Sequence, residues 1–225
     1  MFWEVARKDS LAARESFSYF TVLTYWGISF YFAVAAFYTF QYAKHGAPLV
    51  NRLPRPLQAL YHLYYTTITC YPFLVTIIYW GVLFGGTWFK LEFDAFSNIS
   101  QHALNSVFAL FEIIFPRTNP PPFIHMLWLI IVLAMYCGLA YLTRAADGYY
   151  VYSFLDPSGG HSGRVAGYIA ALAIAQIIIL CLVKLAIWAR RWVTESKLGM
   201  MGKFYGGRGM EQDNIDVEAI RMWTK

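Results

Sequence analysis

Residues 165–189, VAGYIAALAIAQIIILCLVKLAIWA, hold a single charge, Lys184, in 25 positions. As a helix this stretch is roughly 38 Å long, more than the ~30 Å thickness of a bilayer's hydrocarbon core. Lipid offers no partner to a backbone N–H or C=O, so a lone segment of this kind is stable there only as a helix. Working outward, three further runs exceed spanning length: Phe17–Tyr42, Leu57–Phe84 and Ile124–Thr143. A fifth, weaker run lies between the second and fourth. The pattern predicts an all-α integral membrane bundle of about five transmembrane helices.

Composition points the same way. The chain is 58% hydrophobic, 19% aromatic and 14% charged, with mean hydropathy +0.43. A soluble domain is nearer a quarter charged. The net charge is +5, but the 18 Lys and Arg are spread through loops and ends. No basic helix or zinc spacing gathers them, which argues against nucleic acid and for charges facing water and lipid headgroups. Cys70, Cys137 and Cys181 sit inside apolar runs, form no CxxC pair, and read as small buried apolar residues. The segment 1–16 is polar, so the first apolar run begins too late and runs too long for the core of a cleavable signal peptide. Residues 17–191 form the expected membrane domain, and 192–225 a polar tail, partly disordered by composition.

The weaker third segment needs extension. His102–Phe115 covers 14 residues, roughly 21 Å as a helix, and reaches spanning length only when carried back to Phe96. That addition brings in Asn98, Ser100 and Gln101. We read it as spanning, with a re-entrant helix as the alternative. Asn98-Ile99-Ser100 is formally a glycosylation sequon. At the membrane surface it reads instead as a helix start capped by Ser97, Asn98 or Ser100. Counting Lys and Arg on the two faces gives seven against six, a lean towards a cytosolic C-terminus. Lys184 lies near the end of the last helix, from which it snorkels towards that face.

Polar residues in the third helix carry the functional signal. At 100° per residue, Asn98, His102, Asn105, Ser106, Ala109 and Glu112 share an arc of roughly 120°. Such a stripe faces the bundle interior or a wet cleft, because ionisable groups in lipid are expensive. Its plain alternative is helix–helix hydrogen bonding. His102 suits a general base, and with no second His one turn away it suggests no metal. Thr21, Thr24 and Ser29 offer hydroxyls in the first helix, although membrane threonines usually bond back to a carbonyl one turn earlier. If all five segments span, Thr21, His102 and the loop after Thr143 lie at one end of the bundle. Soluble-enzyme signatures such as GxSxG, HExxH and GxxxxGK[ST] are missing.

Three stretches carry a resemblance. Tyr19-Phe20-Thr21 opens the first helix, His102-Ala103-Leu104-Asn105 is followed by Glu112, and the third runs Gly148-Tyr149-Tyr150-Val151-Tyr152-Ser153-Phe154-Leu155-Asp156. Together they resemble the androgen-induced membrane protein family, multipass threonine hydrolases of fatty acid esters of hydroxy fatty acids. Three features depart from that pattern. Ser153 stands where the family has proline, Ile99 where it has a further His, and the family's additional N-terminal helix has no counterpart. The resemblance implies Thr21 as nucleophile and His102 as its base, with Glu112 and Asn105 in support. It also implies a lipid-ester substrate, membrane lipids as surroundings, no cofactor and an endomembrane location such as the endoplasmic reticulum. The rival expectation is a non-catalytic membrane scaffold or partner-binding protein. Approach of Thr21 and His102 beside a lipid-sized cavity discriminates between them.

Overall fold

The computed structural model describes residues 15–200, so the expected N-terminal polar segment and most of the C-terminal tail lie outside the described residues. Six α-helices make five rods: α1 Phe20–His45, α2 Arg55–Ile78, α3 Glu92–Ile99, α4 Asn105–Ile114, α5 Ile124–Asp147 and α6 Ser162–Arg191. The π-helical turn Ser100–Leu104 joins α3 to α4 as one rod, with right-handed helical backbone at each junction residue. Similar turns extend α2 through Leu83 and α6 through Lys197.

Local chemistry explains the ends. Pro54 precedes α2 and Pro56 sits in its first turn, where a missing N–H has no helical partner to lose. Gly46 and Gly148 terminate α1 and α5 in the left-handed region, at φ 70° and 80°. Their N–H groups return to Tyr42 O at 2.8 Å and Arg144 O at 3.1 Å, closing carbonyls that would otherwise face an apolar surround. Within α2, Pro72 lacks the N–H that would reach one turn back.

Four helices are long and apolar enough to cross a membrane: Phe20–His45, Arg55–Leu83, Ile124–Asp147 and Ser162–Lys197. The chain is a multipass membrane protein. Its outer surface agrees, since Phe30, Phe40, Leu142, Leu182 and Leu185 are all more than half exposed, a surface suited to lipid rather than water. The α3–α4 rod has spanning length, roughly 34 Å at the ordinary rise, but falls outside the four by its polar residues. Its backbone runs on without reversing from Glu92 to Ile114.

α2 is the hub. Of its apolar window 44% is buried, against 17–22% in the other three spans. Tyr65, Ile68, Cys70, Tyr71 and Leu74 meet Ile28 and Tyr31 of α1, Ile113 of α4, Leu129 of α5 and Leu180 of α6. A second cluster joins Ala140 and Val165 to Val151, Phe154 and Leu155. It seats the loop between α5 and α6 against the bundle.

One sequence expectation needs correction. The third helix begins at Glu92, with Leu91 before it and no side-chain cap. Ser97, Asn98 and Ser100 are therefore interior residues, not caps. Glu92 and Asp94 in the first turn complement the positive end of the helix dipole instead. Lys184 points to the expected end of the bundle, where the linker before α5 receives it. Its ammonium donates to Pro121 O and lies 3.9 Å from the Phe123 ring centre.

Candidate functional site

The ends of α1, α2 and the α3–α4 rod enclose a cavity of about 910 Å³, closed on one side by Val151–Ser153. Tyr25, Ser29, Asp94, Asn98 and Gln101 give it a polar wall, and Trp26, Phe89 and Phe93 an apolar one. Thr21 and His102 both line it. The sequence expectation that these two share one end of the bundle is met. Among the described residues, however, no hydrogen bond joins them.

His102 is held on two sides. Its ring stacks on Tyr79, centroids 3.5 Å apart and planes 17° off parallel. Its Nδ1 lies 3.0 Å from Asn98 O. A carbonyl only accepts, so the proton sits on Nδ1 and Nε2 keeps its lone pair. Tyr79 in turn donates to Asn98 Oδ1 at 2.7 Å, and Trp80 Nε1 donates to His102 O at 3.0 Å. Stack and carbonyl are thus fixed by residues at the π-turn that ends α2 and the tautomer by Asn98 of α3, while His102 itself lies in the π-turn between α3 and α4. Wide turns of this kind are uncommon and frequent at functional sites.

Thr21 is buried at 8% exposure, on the second residue of α1. Tyr152, from the loop after α5, brings its hydroxyl beside the side chains of Thr21 and Tyr136. Burial pushes the Tyr152 hydroxyl above its ordinary range, with those two neighbours opposing the shift. It stays a neutral donor. Tyr136 spends its one proton on Ser18 O at 2.9 Å, so towards Tyr152 it can only accept. Thr24 behaves differently from Thr21: it donates back to Thr21 O at 2.9 Å and lines neither cavity described below.

The expected supporting residues are elsewhere. The polar stripe does turn inward, with Asn105, Ala109 and Glu112 buried and Val107, Phe108, Phe111 and Ile114 exposed. Yet neither Asn105 nor Glu112 lines the His102 cavity. Asn105 Oδ1 accepts from Thr76 Oγ1 at 3.2 Å and from Ser106 N at 2.7 Å. Glu112 Oε2 accepts from Tyr31 at 3.0 Å, and Tyr65 donates to Glu112 O at 3.1 Å. The π-turn inserts an extra residue per turn and resets the phase that a uniform 100° step assumes. Upstream residues then face the cavity and downstream ones the α1–α2 interface.

Sequence reading passed over several polar residues. Tyr152 lies inside a quoted motif, but no spacing ties it to Thr21. His125 Nδ1 meets Thr66 Oγ1 at 2.6 Å, both buried. Gln176, the one amide in the last apolar run, is 1% exposed, with both amide atoms lacking a partner. Arg190 donates to Pro116 O and Thr118 O, tying α6 to the proline-rich linker. Among the described residues no group of three metal-ligating side chains clusters.

A scan of family models and searches of curated proteins and solved structures give no match for this chain.

Proposed function

We propose that this protein hydrolyses lipid esters within the membrane, with Thr21 as nucleophile and His102 as base. One observation carries the reading: Thr21 and a His102 whose Nδ1 is engaged by Asn98 O line one cavity large enough for a lipid. The three stretches that resemble the androgen-induced membrane protein family all contribute to its walls, through Tyr19 and Thr21, His102, and Val151–Ser153.

The chemistry follows from the groups. Thr21 Oγ1 attacks the ester carbonyl carbon as its proton passes to His102 Nε2. The bond between the acyl carbon and the alcohol oxygen breaks, and the imidazolium returns that proton to the departing oxygen. Water then attacks the acyl carbon as the same nitrogen takes its proton; the acyl–threonine bond breaks, that proton passes to Thr21 Oγ1, and the acid leaves. Substrate binding must bring Thr21 and His102 together, a tightening common between free and loaded enzymes. A non-catalytic scaffold remains the second reading. It is favoured by the lack of a Thr21–His102 hydrogen bond and by the Tyr79 stack that already satisfies the ring.

Kinetics of variants separate the two. Thr21→Ala, His102→Ala and the double variant are expected to lose roughly a hundredfold or more in turnover, to similar low levels. Thr21→Ser retains activity because the hydroxyl survives, and Thr24→Ala leaves turnover intact. Loss in Thr24→Ala with none in Thr21→Ala moves the nucleophile by one turn. Indifference of both, in protein that inserts normally, leaves the scaffold.

The same reading places the protein in an endomembrane, with its C-terminal end in the cytosol. Eight Lys and Arg of the described residues lie at that end, Lys184, Arg190, Arg191 and Lys197 among them. Lys90, Arg144 and Arg164 lie at the other, while Arg7, Lys8 and Arg14 fall outside the described residues. Such a bias marks the cytosolic side.

A further inference from the structure

A second cavity, of about 150 Å³, adjoins the first across a shared wall that includes Thr21. Four residues line both: Thr21, Tyr79, Leu83 and Tyr152. Beyond that junction the walls change character. The smaller cavity runs between α2, α5 and α6 over Leu74, Ile130, Leu133, Cys137, Leu172 and Ala173, all apolar. The larger one carries the hydroxyls, amides and imidazole of α1 and α3. An ester carbonyl at Thr21 therefore has an apolar chamber on one side and His102 on the other.

We propose that the small cavity is the acyl chamber, holding the carbon chain of the acid, and that the polar cavity holds the alcohol. This deepens, and rests on, the hydrolase reading. The assignment follows from where the proton is needed. The alcohol is the leaving group and must receive a proton from His102, which lies only on the polar side. The acyl chain departs in the opposite direction and finds no polar partner to lose. An apolar cavity of about 150 Å³ stays dry and holds a benzene-sized guest, so the chamber takes roughly six carbons. Ile169 at its edge is 40% exposed, and a longer chain leaves past it into the bilayer.

The test fills the chamber. Ala173→Phe puts a ring into it, and Ala171→Phe, on an exposed position of the same helix outside the lining, is the control. Esters of one alcohol with acyl chains of about four to twelve carbons are compared in purified protein. Ala173→Phe is expected to lose about tenfold or more in kcat/KM beyond about six carbons, while the shortest ester and the Ala171→Phe control change little. Equal loss at all acyl lengths, no loss, or loss that follows alcohol length instead overturns the assignment.

A second readout needs no turnover. A fatty acid bearing a diazirine near its sixth carbon is photolysed with the Thr21→Ala protein. Crosslinks at Ile130–Cys137 and near Ala173, suppressed by Ala173→Phe, support the chamber. Crosslinks spread over Leu182 and Leu185, and indifferent to Ala173→Phe, overturn it. If Thr21→Ala hydrolyses esters as fast as the wild type, Thr21 is not the nucleophile and the hydrolase reading fails at that residue, and the crosslinks still decide whether the chamber binds an acyl chain.

Discussion

At the scale of single residues, the position of Glu112 separates packing from chemistry. Its carboxylate is 4% exposed and accepts from Tyr31, ten residues and roughly 15 Å along the rod from His102. Glu112→Gln keeps an acceptor for Tyr31, so insertion and ester hydrolysis are expected to stay at wild-type levels. Tyr31→Phe strips the carboxylate of that donor, and unfolding in detergent should show a loss of about 1–3 kcal/mol. Hydrolysis lost in a normally folded Glu112→Gln protein returns Glu112 to the site. The sequence held His102 and Thr21 in view because a titratable ring and a hydroxyl are rare in apolar helices. Tyr152 was hidden, since its approach to Thr21 comes from folding the 148–161 loop onto α1 and α5. Asn105 and Glu112 were expected in support by the resemblance and shared a face with His102 on a helical wheel, which knows nothing of a π-turn.

At the scale of elements, the four long helices were legible because lipid demands uninterrupted apolar runs, and only their ends moved by a few residues. The third rod was less so. Its first turn is Glu92, Phe93 and Asp94, where two acids interrupt the apolar signal and complement the helix dipole instead. The π-turns are not written in local sequence at all. Ser100–Leu104 widens where Trp80 donates to His102 O and Asn105 accepts from Thr76 Oγ1, contacts that exist only once α2 is alongside. Trp80→Phe removes that donor while keeping an aromatic ring. The expectation is a loss of roughly tenfold or more in turnover through misplacement of His102, with unchanged membrane insertion. Turnover equal to wild type removes the π-turn from the mechanism.

At the scale of the whole molecule, five rods put the two ends of the described chain on opposite faces if the α3–α4 rod crosses. Tags at Met1 and Lys225, probed with protease in sealed microsomes, are expected to show opposite protection, with the Lys225 tag accessible. Matching protection means that the third rod does not cross. Bundle and cavity fit together in one respect that matters for a lipid substrate. The site lies at one end of the helices, with polar groups on one side and an apolar chamber towards α5 and α6. A lipid ester meets both without leaving the membrane. The most direct test is labelling of purified wild-type protein by a fluorophosphonate probe, with the modified residue mapped by mass spectrometry. The account predicts a phosphonyl adduct on Thr21 that disappears in His102→Ala. An adduct on another residue, or none in well-folded protein, contradicts it.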